Sequence, residues 1–171
     1  MLKYKIYVLI LLLIGIVSFN IVGAKTNELP LLGKVIYVDP GHGGLDPGAM
    51  YKNIKEKDIN LSISKKLQLK LEKLGAIVYL TRYGDYDLSV TNTQNRKRSD
   101  LSRRGNIINR SKCDLYLSIH LNAEISSSYN GAQAFYSTNN DENKKIADIM
   151  QKEFKNKLNS KLNYKKITNL Y

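Results

Sequence analysis

The residues of this sequence best suited to chemistry are its two histidines. His42 follows the apolar run Lys34–Val38 and sits among glycines, and His120 follows a second apolar run, Asp114–Ile119. Both runs are predicted strands, so each histidine is placed at the carboxyl end of a strand. In a parallel sheet these ends meet along one edge, where functional sites collect. Because imidazole is the commonest metal ligand in proteins, two histidines at such an edge predict a metal site.

A third ligand is predicted among the carboxylates near these histidines. A catalytic zinc ion commonly has two histidines and one glutamate, with water in the fourth position. Glu56 comes 14 residues after His42 (56 − 42), where the helix after the same strand begins. Asp39 is expected to orient His42 as a hydrogen-bond acceptor behind the metal. Asn122 and Glu124 are expected to line the same rim.

Spacing alone leaves other interpretations of these residues open. A histidine at a strand end is often an ordinary hydrogen-bonded loop residue. The glycine loop 41–44 is also compatible with an anion cradle at a helix start, although it matches neither the P-loop nor the dinucleotide pattern. The basic cluster Arg96–Arg98 with Arg103 and Arg104 could contact nucleic acid, but it lacks interleaved aromatic residues. We therefore predict no nucleic-acid partner.

Composition bounds the class of protein. The chain has 171 residues, of which 43% are hydrophobic, enough for one domain with a full core. Its 27 lysines and arginines against 15 acidic residues give a net charge of +12, which favours polyanionic partners such as an anionic membrane face or an acidic wall polymer. The single cysteine, Cys113, excludes an intrachain disulfide and a cysteine-based zinc site.

The N-terminus has the layout of a targeting segment. Lys3 and Lys5 precede the apolar run Ile6–Val17, and small residues follow at 22–24. We predict that residues 1–24 are a signal peptide or, if uncleaved, a membrane anchor, that 25–33 are a linker, and that 34–171 form the globular domain. The domain is then expected to act outside the cytoplasm, secreted or anchored at the cell envelope.

Hydrophobic periodicity predicts an α/β fold. A helix capped near Asp58 carries an apolar stripe and ends at Gly75, and strand 76–80 follows it, which makes a parallel βαβ unit. The stripe consists of Ile59, Ile63, Leu67, Leu71 and Leu74. The prediction is a single three-layer domain with a twisted, mainly parallel central sheet flanked by helices.

The second half of the chain predicts further elements around that sheet. A long loop over 83–99 leads to a helix starting at Ser99–Asp100, and a strand covers 131–136. A last helix is expected to be capped by Asp141 and to carry the stripe Ile146, Met150, Phe154 and Leu158. The tail 159–171 is expected to add no closing element.

Four blocks of the sequence occur together between residues 34 and 154. They are Val38–Ala49, Glu56–Leu61, Thr81–Asp85 and Ser118–Ala123. In this order they resemble the zinc-dependent N-acetylmuramoyl-L-alanine amidases of the Amidase_3 type, and most closely the sporulation amidases of that family. The resemblance implies an amidase/phosphorylase-like fold.

The resemblance also implies the site and the substrate. His42, Glu56 and His120 would bind one zinc ion, and Arg82 would support the site or contact the substrate. The substrate would be peptidoglycan, cut at the amide between the muramic acid lactyl group and the L-alanine of the stem peptide. The sporulation branch further implies spore cortex maturation with muramic lactam formation, and an activating envelope protein is a partner to expect.

One feature of the family has no counterpart in this sequence. Family members carry a catalytic glutamate in a late Val-Glu-x-Gly-Phe-like block, and no such block precedes Tyr171. The expectation is therefore a C-terminally incomplete domain that assembles the zinc ligands but hydrolyses weakly or not at all, with Glu124 as a substitute base. Two alternatives are a non-catalytic wall-binding or regulatory module and a zinc-free structural protein of the envelope.

Overall fold

The computed structural model describes residues 28–121 and 131–167. Seven strands and three helices are found in these two ranges. In chain order they are β1 (Val35–Pro40), β2 (Met50–Tyr51), β3 (Ile54–Lys55), α1 (Glu56–Lys73), β4 (Ile77–Leu80), α2 (Arg96–Ser111), β5 (Leu115–Ile119), β6 (Phe135–Ser137), α3 (Asp141–Leu158) and β7 (Lys165–Ile167).

The central sheet has three parallel strands in the order β4-β1-β5. Val38 of β1 lies opposite Leu80 in β4 and Leu117 in β5. The pairing continues past Pro40, where the Gly41 N–H donates to the Ile119 carbonyl at 3.0 Å. The loops that follow β1 and β5 therefore leave the sheet side by side, as the sequence predicts.

The hydrophobic core lies between this sheet and α1. Alternate residues of β1 and β4 point towards the helix, as expected for a strand with a period of two. Leu67 and Leu71 of α1 pack against them. Each such side chain contributes about 1.5–3 kcal/mol when fully buried. The buried members of the core are Ile36, Val38, Ala76, Val78 and Leu80.

The buried face of α1 differs from the predicted stripe. Ile63 and Leu74 are 41% and 42% exposed, whereas the polar Asn60 and Ser64 are fully buried. The first turns of α1 pack against the polar loop after β1, where Asn60 donates to the Gly41 carbonyl, whereas Leu67 and Leu71 further along the helix face the core.

The ends of α1 follow the predictions in part. Its N-cap is Lys55, which has extended backbone and no side-chain capping bond, so Asp58 lies in the first turn and is not the cap. Gly75 follows the C-terminus in a left-handed conformation with φ of 97° and donates its N–H to the Glu72 carbonyl. This confirms its predicted role.

Helix α2 begins earlier than predicted. Asn95 is the N-cap, and its side chain accepts a hydrogen bond from the Arg98 N–H at 3.1 Å. The helix therefore starts at Arg96 instead of Ser99, because an asparagine side chain satisfies an N–H of the first turn. Residues 83–94 form the surface loop that the polar sequence predicts.

The last described elements form a second parallel unit. Strands β6 and β7 pair in their own two-stranded sheet, connected by α3. The predicted strand 131–136 is shorter in the structure, where β6 covers only Phe135–Ser137. The prediction that the tail 159–171 adds no closing element is wrong, because β7 lies in this tail and pairs with β6. The N-cap of α3 is Asn140 and not Asp141.

The apolar stripe of α3 is also only partly buried. Ile146, Met150 and Phe154 are half-buried, whereas Leu158 is exposed. A polar side chain, Gln151, joins the helix to its surroundings by accepting from the Ala134 N–H and donating to two backbone carbonyls.

Three predictions lie outside the described residues: the targeting segment 1–24, Asn122 and Glu124. Among the helices that are described, none combines the length and apolar character needed to cross a bilayer.

Candidate metal centre

The turn after β1 holds His42 in an unusual backbone conformation. Gly43 and Asp46 exchange two backbone hydrogen bonds of 3.0 Å, which close a tight loop. His42 has a φ of 61°, in the left-handed region that non-glycine residues rarely occupy. Such a conformation persists only where the surroundings impose it, so the loop fixes the direction in which the imidazole points.

Glu56 is the first residue of α1, and backbone donors hold its carboxylate. Oε2 accepts from the Ala49 N–H at 2.8 Å, and Oε1 accepts from the Leu121 N–H at 2.8 Å. The residue is 4% exposed. Burial acts to raise the pKa of Glu56, but these two bonds, with one from Asn60, outweigh it and lower the pKa. The carboxylate is therefore ionised, as a metal ligand must be.

The structure brings the three predicted ligands together. Glu56 Oε1 lies 3.2 Å from His42 Nε2 and 3.1 Å from His120 Nδ1, and one donor atom from each residue lies within 4.8 Å of the other two. Donor atoms about 2.0–2.1 Å from a tetrahedral zinc ion lie about 3.3 Å apart. The two Glu56–histidine distances match this separation, and two imidazoles with one carboxylate are a donor set that zinc takes in catalytic sites.

Asp46 is the residue that orients His42. Its Oδ2 lies 2.8 Å from His42 Nδ1, and its Oδ1 accepts from the Gly48 N–H. Burial acts to raise the pKa of Asp46, but the hydrogen bonds from His42 and Gly48 outweigh it and lower the pKa. A carboxylate on Nδ1 leaves Nε2 free to bind a metal and raises its basicity.

The prediction that Asp39 orients His42 is therefore wrong. Asp39 is buried at the end of β1, where it accepts hydrogen bonds from the Thr81 hydroxyl, the Tyr116 hydroxyl and the Arg104 guanidinium. Its side chain faces α2 because neighbouring positions along a strand alternate in direction.

Two glycines leave the space that the histidine rings occupy. A Cβ at Gly41 would lie 2.3 Å from two atoms of the His120 ring. A Cβ at Gly48, which has a φ of 68°, would lie 2.6 Å from His42 Cδ2 and 2.7 Å from Glu56 Oε2. No side chain fits at these distances, so both glycines are required for the cluster to assemble.

Arg104 supports the same loop and was missed as a site residue. In the sequence it belongs to the basic cluster Arg96–Arg98 with Arg103 and Arg104, but in the structure it is 2% exposed. Its Nη2 donates to the His42 carbonyl at 2.8 Å and its Nε to Asp100 at 2.8 Å. Burial acts to lower the pKa of Arg104, but Asp39 and Asp100 outweigh it and raise the pKa. The four-residue spacing of Asp100 and Arg104 on one helix was the available signal.

Arg82 supports the loop from the other side. It is 1% exposed, and it donates to the backbone carbonyls of Pro40, Gly41, Lys57 and Gly84. These bonds join the end of β1 to the start of α1. Arg82 therefore lies behind the loop as a positioning residue, and its buried guanidinium is not open to a substrate.

The parallel α/β domain thus carries a His-Glu-His cluster suited to a metal ion at the carboxyl ends of its strands. The family model Amidase_3, N-acetylmuramoyl-L-alanine amidase, matches residues 36–171. The chain belongs to this family, which confirms the resemblance seen in the sequence.

Several curated proteins are similar in sequence. The germination-specific N-acetylmuramoyl-L-alanine amidase of Bacillus subtilis is 42% identical over 151 residues, covering 86% of this chain and 64% of that protein. The probable cell wall amidase LytH of Staphylococcus aureus is 39% identical over 138 residues, covering 78% of this chain and 41% of that protein. The chain thus spans less than two thirds of the length of either relative.

Solved structures share the fold. The CwlD amidase of Clostridioides difficile, solved in complex with the GerS lipoprotein, matches with a TM-score of 0.76 and 37% identity, covering 81% of this chain and 74% of that one. An N-acetylmuramoyl-L-alanine amidase of Clostridium difficile 630 matches with a TM-score of 0.66 and 30% identity, covering 80% of this chain and 70% of that one. The predicted three-layer α/β class with a mainly parallel sheet is confirmed.

Proposed function

We propose that His42, Glu56 and His120 hold one zinc ion and that the chain is an N-acetylmuramoyl-L-alanine amidase. The observation that carries this proposal is the cluster itself, in which an ionised carboxylate lies 3.1–3.2 Å from two imidazole nitrogens. Asp46 behind His42 completes a carboxylate–histidine pair that suits zinc. Membership of the Amidase_3 family supports the choice of metal.

The substrate that we propose is the amide between the muramic acid lactyl group and the L-alanine of the stem peptide. When bound, zinc polarises the carbonyl and lowers the pKa of water to about 7. The side chains of this domain fix the geometry: Asp46 and Arg104 hold the His42 loop, and Glu56 is held by Ala49 and Leu121. Hydrolysis adds water across the amide, which leaves a lactyl carboxylate and a free L-alanine amine.

Proton transfer from water to the leaving amine requires a general base. Within this chain we assign that role to Glu124, which directly follows the block Ser118–Ala123. The assignment rests on sequence position alone, since Glu124 lies outside the described residues.

We infer that the domain acts outside the cytoplasm on the cell wall, with residues 1–24 as its signal or anchor. Peptidoglycan is the partner that this activity requires, and the net charge of +12 suits an acidic polymer. A role in spore cortex maturation follows from the likeness to the germination-specific amidase. The complex of the C. difficile relative with a lipoprotein supports an activating envelope protein as a second partner.

The test is hydrolysis of purified muramyl peptides by the zinc-loaded chain. The expected products are stem peptides with a new L-alanine amino terminus, detected by mass spectrometry, and a chelator should abolish their release. Glu124→Gln should slow turnover about 10²–10⁴-fold at unchanged zinc content. Turnover equal to that of a full-length family member would show that the Val-Glu-x-Gly-Phe-like block is not required. Release of no stem peptide would instead favour a non-catalytic wall-binding module as the function of this chain.

A further inference from the structure

A short hairpin beside the metal cluster exposes large apolar side chains. Strands β2 and β3 pair antiparallel, with Met50 opposite Lys55 and Tyr51 opposite Ile54. Met50, Tyr51 and Ile54 are 57%, 70% and 54% exposed. Contiguous exposed apolar groups of this kind mark binding surfaces.

The hairpin is joined directly to a metal ligand. The Glu56 N–H donates to the Ala49 carbonyl at 2.9 Å, and the Ala49 N–H donates to Glu56 Oε2 at 2.8 Å. The first of these bonds continues the pairing of β2 with β3 by one more residue on each strand, and the second ties the strand to the Glu56 carboxylate. A two-stranded hairpin is only marginally stable alone, so its attachment to Glu56 fixes its position relative to the cluster.

One face of the hairpin is shared with the Glu56 carboxylate. Side chains two residues apart on extended backbone point to the same side, and Lys55 between Ile54 and Glu56 is extended, with φ of −112° and ψ of 135°. Ile54 and Glu56 therefore face the same way, and Tyr51 lies opposite Ile54 on that face. The rise along a strand places this pair about 7 Å from Glu56.

The ring of Tyr51 is held by its neighbour in the turn. Lys52 Nζ lies 5.5 Å from the ring centroid, within the range of a cation–π contact. Lys52 itself has a φ of 52°, a conformation imposed by the tight turn. Tyr51 remains 70% exposed beside this contact, so much of its ring is open to a ligand.

We propose that Tyr51 and Ile54 form a saccharide subsite, on which a sugar ring of the glycan strand packs next to the scissile amide. This inference rests on the proposed function, since the lactyl group places the muramic acid ring within a few bonds of the metal cluster. A pyranose ring offers an apolar C–H face that suits an exposed aromatic and aliphatic pair. The L-alanine at the start of the stem peptide is small and offers no such face.

The test is binding of a peptide-free oligosaccharide of alternating N-acetylglucosamine and N-acetylmuramic acid to the zinc-loaded chain, measured by titration calorimetry. Tyr51→Ala is expected to weaken binding about tenfold and Ile54→Ala about threefold. Tyr51→Phe should stay within twofold of the wild type because it keeps the ring. Leu69→Ala is the matched control, since Leu69 is 60% exposed on α1 and should bind like the wild type.

Binding and turnover separate this inference from the proposed function. The oligosaccharide lacks the amide, so its binding does not require amidase activity. No saturable binding by the wild type at millimolar oligosaccharide, or equal binding by Tyr51→Ala, would overturn the subsite even if muramyl peptides are hydrolysed. Weaker binding of an isolated stem peptide by Tyr51→Ala, with oligosaccharide binding unchanged, would also overturn it. Oligosaccharide binding lost in Tyr51→Ala supports the subsite even if no amide is cleaved.

Discussion

At the residue scale, the cluster of His42, Glu56 and His120 depends on the Asp46 carboxylate, which accepts a hydrogen bond from His42. We expect Asp46→Asn to weaken zinc binding about 10–100-fold, because an amide neither fixes the imidazole tautomer as firmly nor raises its basicity. Competition with a chelator of known affinity measures this. Asp58→Asn, an exposed substitution in the first turn of α1, should leave zinc affinity unchanged. Equal affinities for the wild type and Asp46→Asn would show that Asp46 does not position a ligand.

A second prediction concerns the space beside His120. Gly41→Ala should displace the His120 ring and lower zinc occupancy, because the added Cβ would lie 2.3 Å from ring atoms. Gly105→Ala is the matched control, since nothing lies within 4 Å of a Cβ there and the residue is inside α2. That control should raise the free energy of unfolding by about 0.5–1 kcal/mol. Full zinc occupancy in Gly41→Ala would show that the absence of a side chain at position 41 is not required for zinc binding.

Residue types and spacing predicted the three residues of the cluster but not the side chains that support them. His42, Glu56 and His120 were found because strand ends and helix starts converge on one edge of a parallel sheet. Asp46 and Arg104 were not, since their roles depend on how the loop closes and on which side of α2 is buried. Asp39, inside β1, lies nearer to His42 in sequence than Asp46 does. The left-handed turn at His42 nevertheless brings Asp46, and not Asp39, into contact with the imidazole.

At the scale of elements, α2 is attached to the end of β1 by a buried ion pair. Arg104→Gln leaves Asp39 without its cation, and we expect a loss of about 3–5 kcal/mol in the free energy of unfolding. Urea denaturation measures the loss. Arg103→Gln, which alters the exposed neighbour, should change stability by no more than about 0.5 kcal/mol. Similar effects in the two variants would mean that the Arg104 contacts contribute little.

The start of α2 is tied to the preceding loop by Asp87, which binds Arg96. Burial acts to raise the pKa of Asp87, but hydrogen bonds from Ser89 and Arg96 outweigh it and lower the pKa to about 2. A lowered folded-state pKa adds stability above the unfolded value near 4, and this stability is lost as the pH falls towards 2.

The expected contribution of Asp87 is about 1–2 kcal/mol at neutral pH, reduced because solvent screens the half-exposed Arg96. Asp87→Asn should therefore be less stable than the wild type at pH 7, and the difference should shrink between pH 5 and pH 2. Denaturant unfolding across this range measures it. If the stability difference between the wild type and Asp87→Asn does not change with pH, the lowered pKa of Asp87 is not its cause.

The helices and strands were predicted where the sequence pattern that specifies them lies within the element itself. The βαβ unit and Gly75 follow from periodicity and turn residues. The burial of the polar Asn60 does not, because it depends on the loop after β1 to which its side chain donates. Strand β7 was missed because Lys165–Ile167 carries no apolar pattern and forms only by pairing with β6.

At the scale of the whole molecule, the chain is a parallel α/β domain of the Amidase_3 family with a cluster suited to one zinc ion. The most direct test is the metal content of the purified chain after zinc loading and dialysis, measured by elemental analysis. We predict one zinc per chain in the wild type and none in His120→Ala, with the secondary structure of the variant unchanged by circular dichroism. Zinc content that is the same in His120→Ala as in the wild type, or absent from both, would contradict the assignment of this cluster as the metal centre.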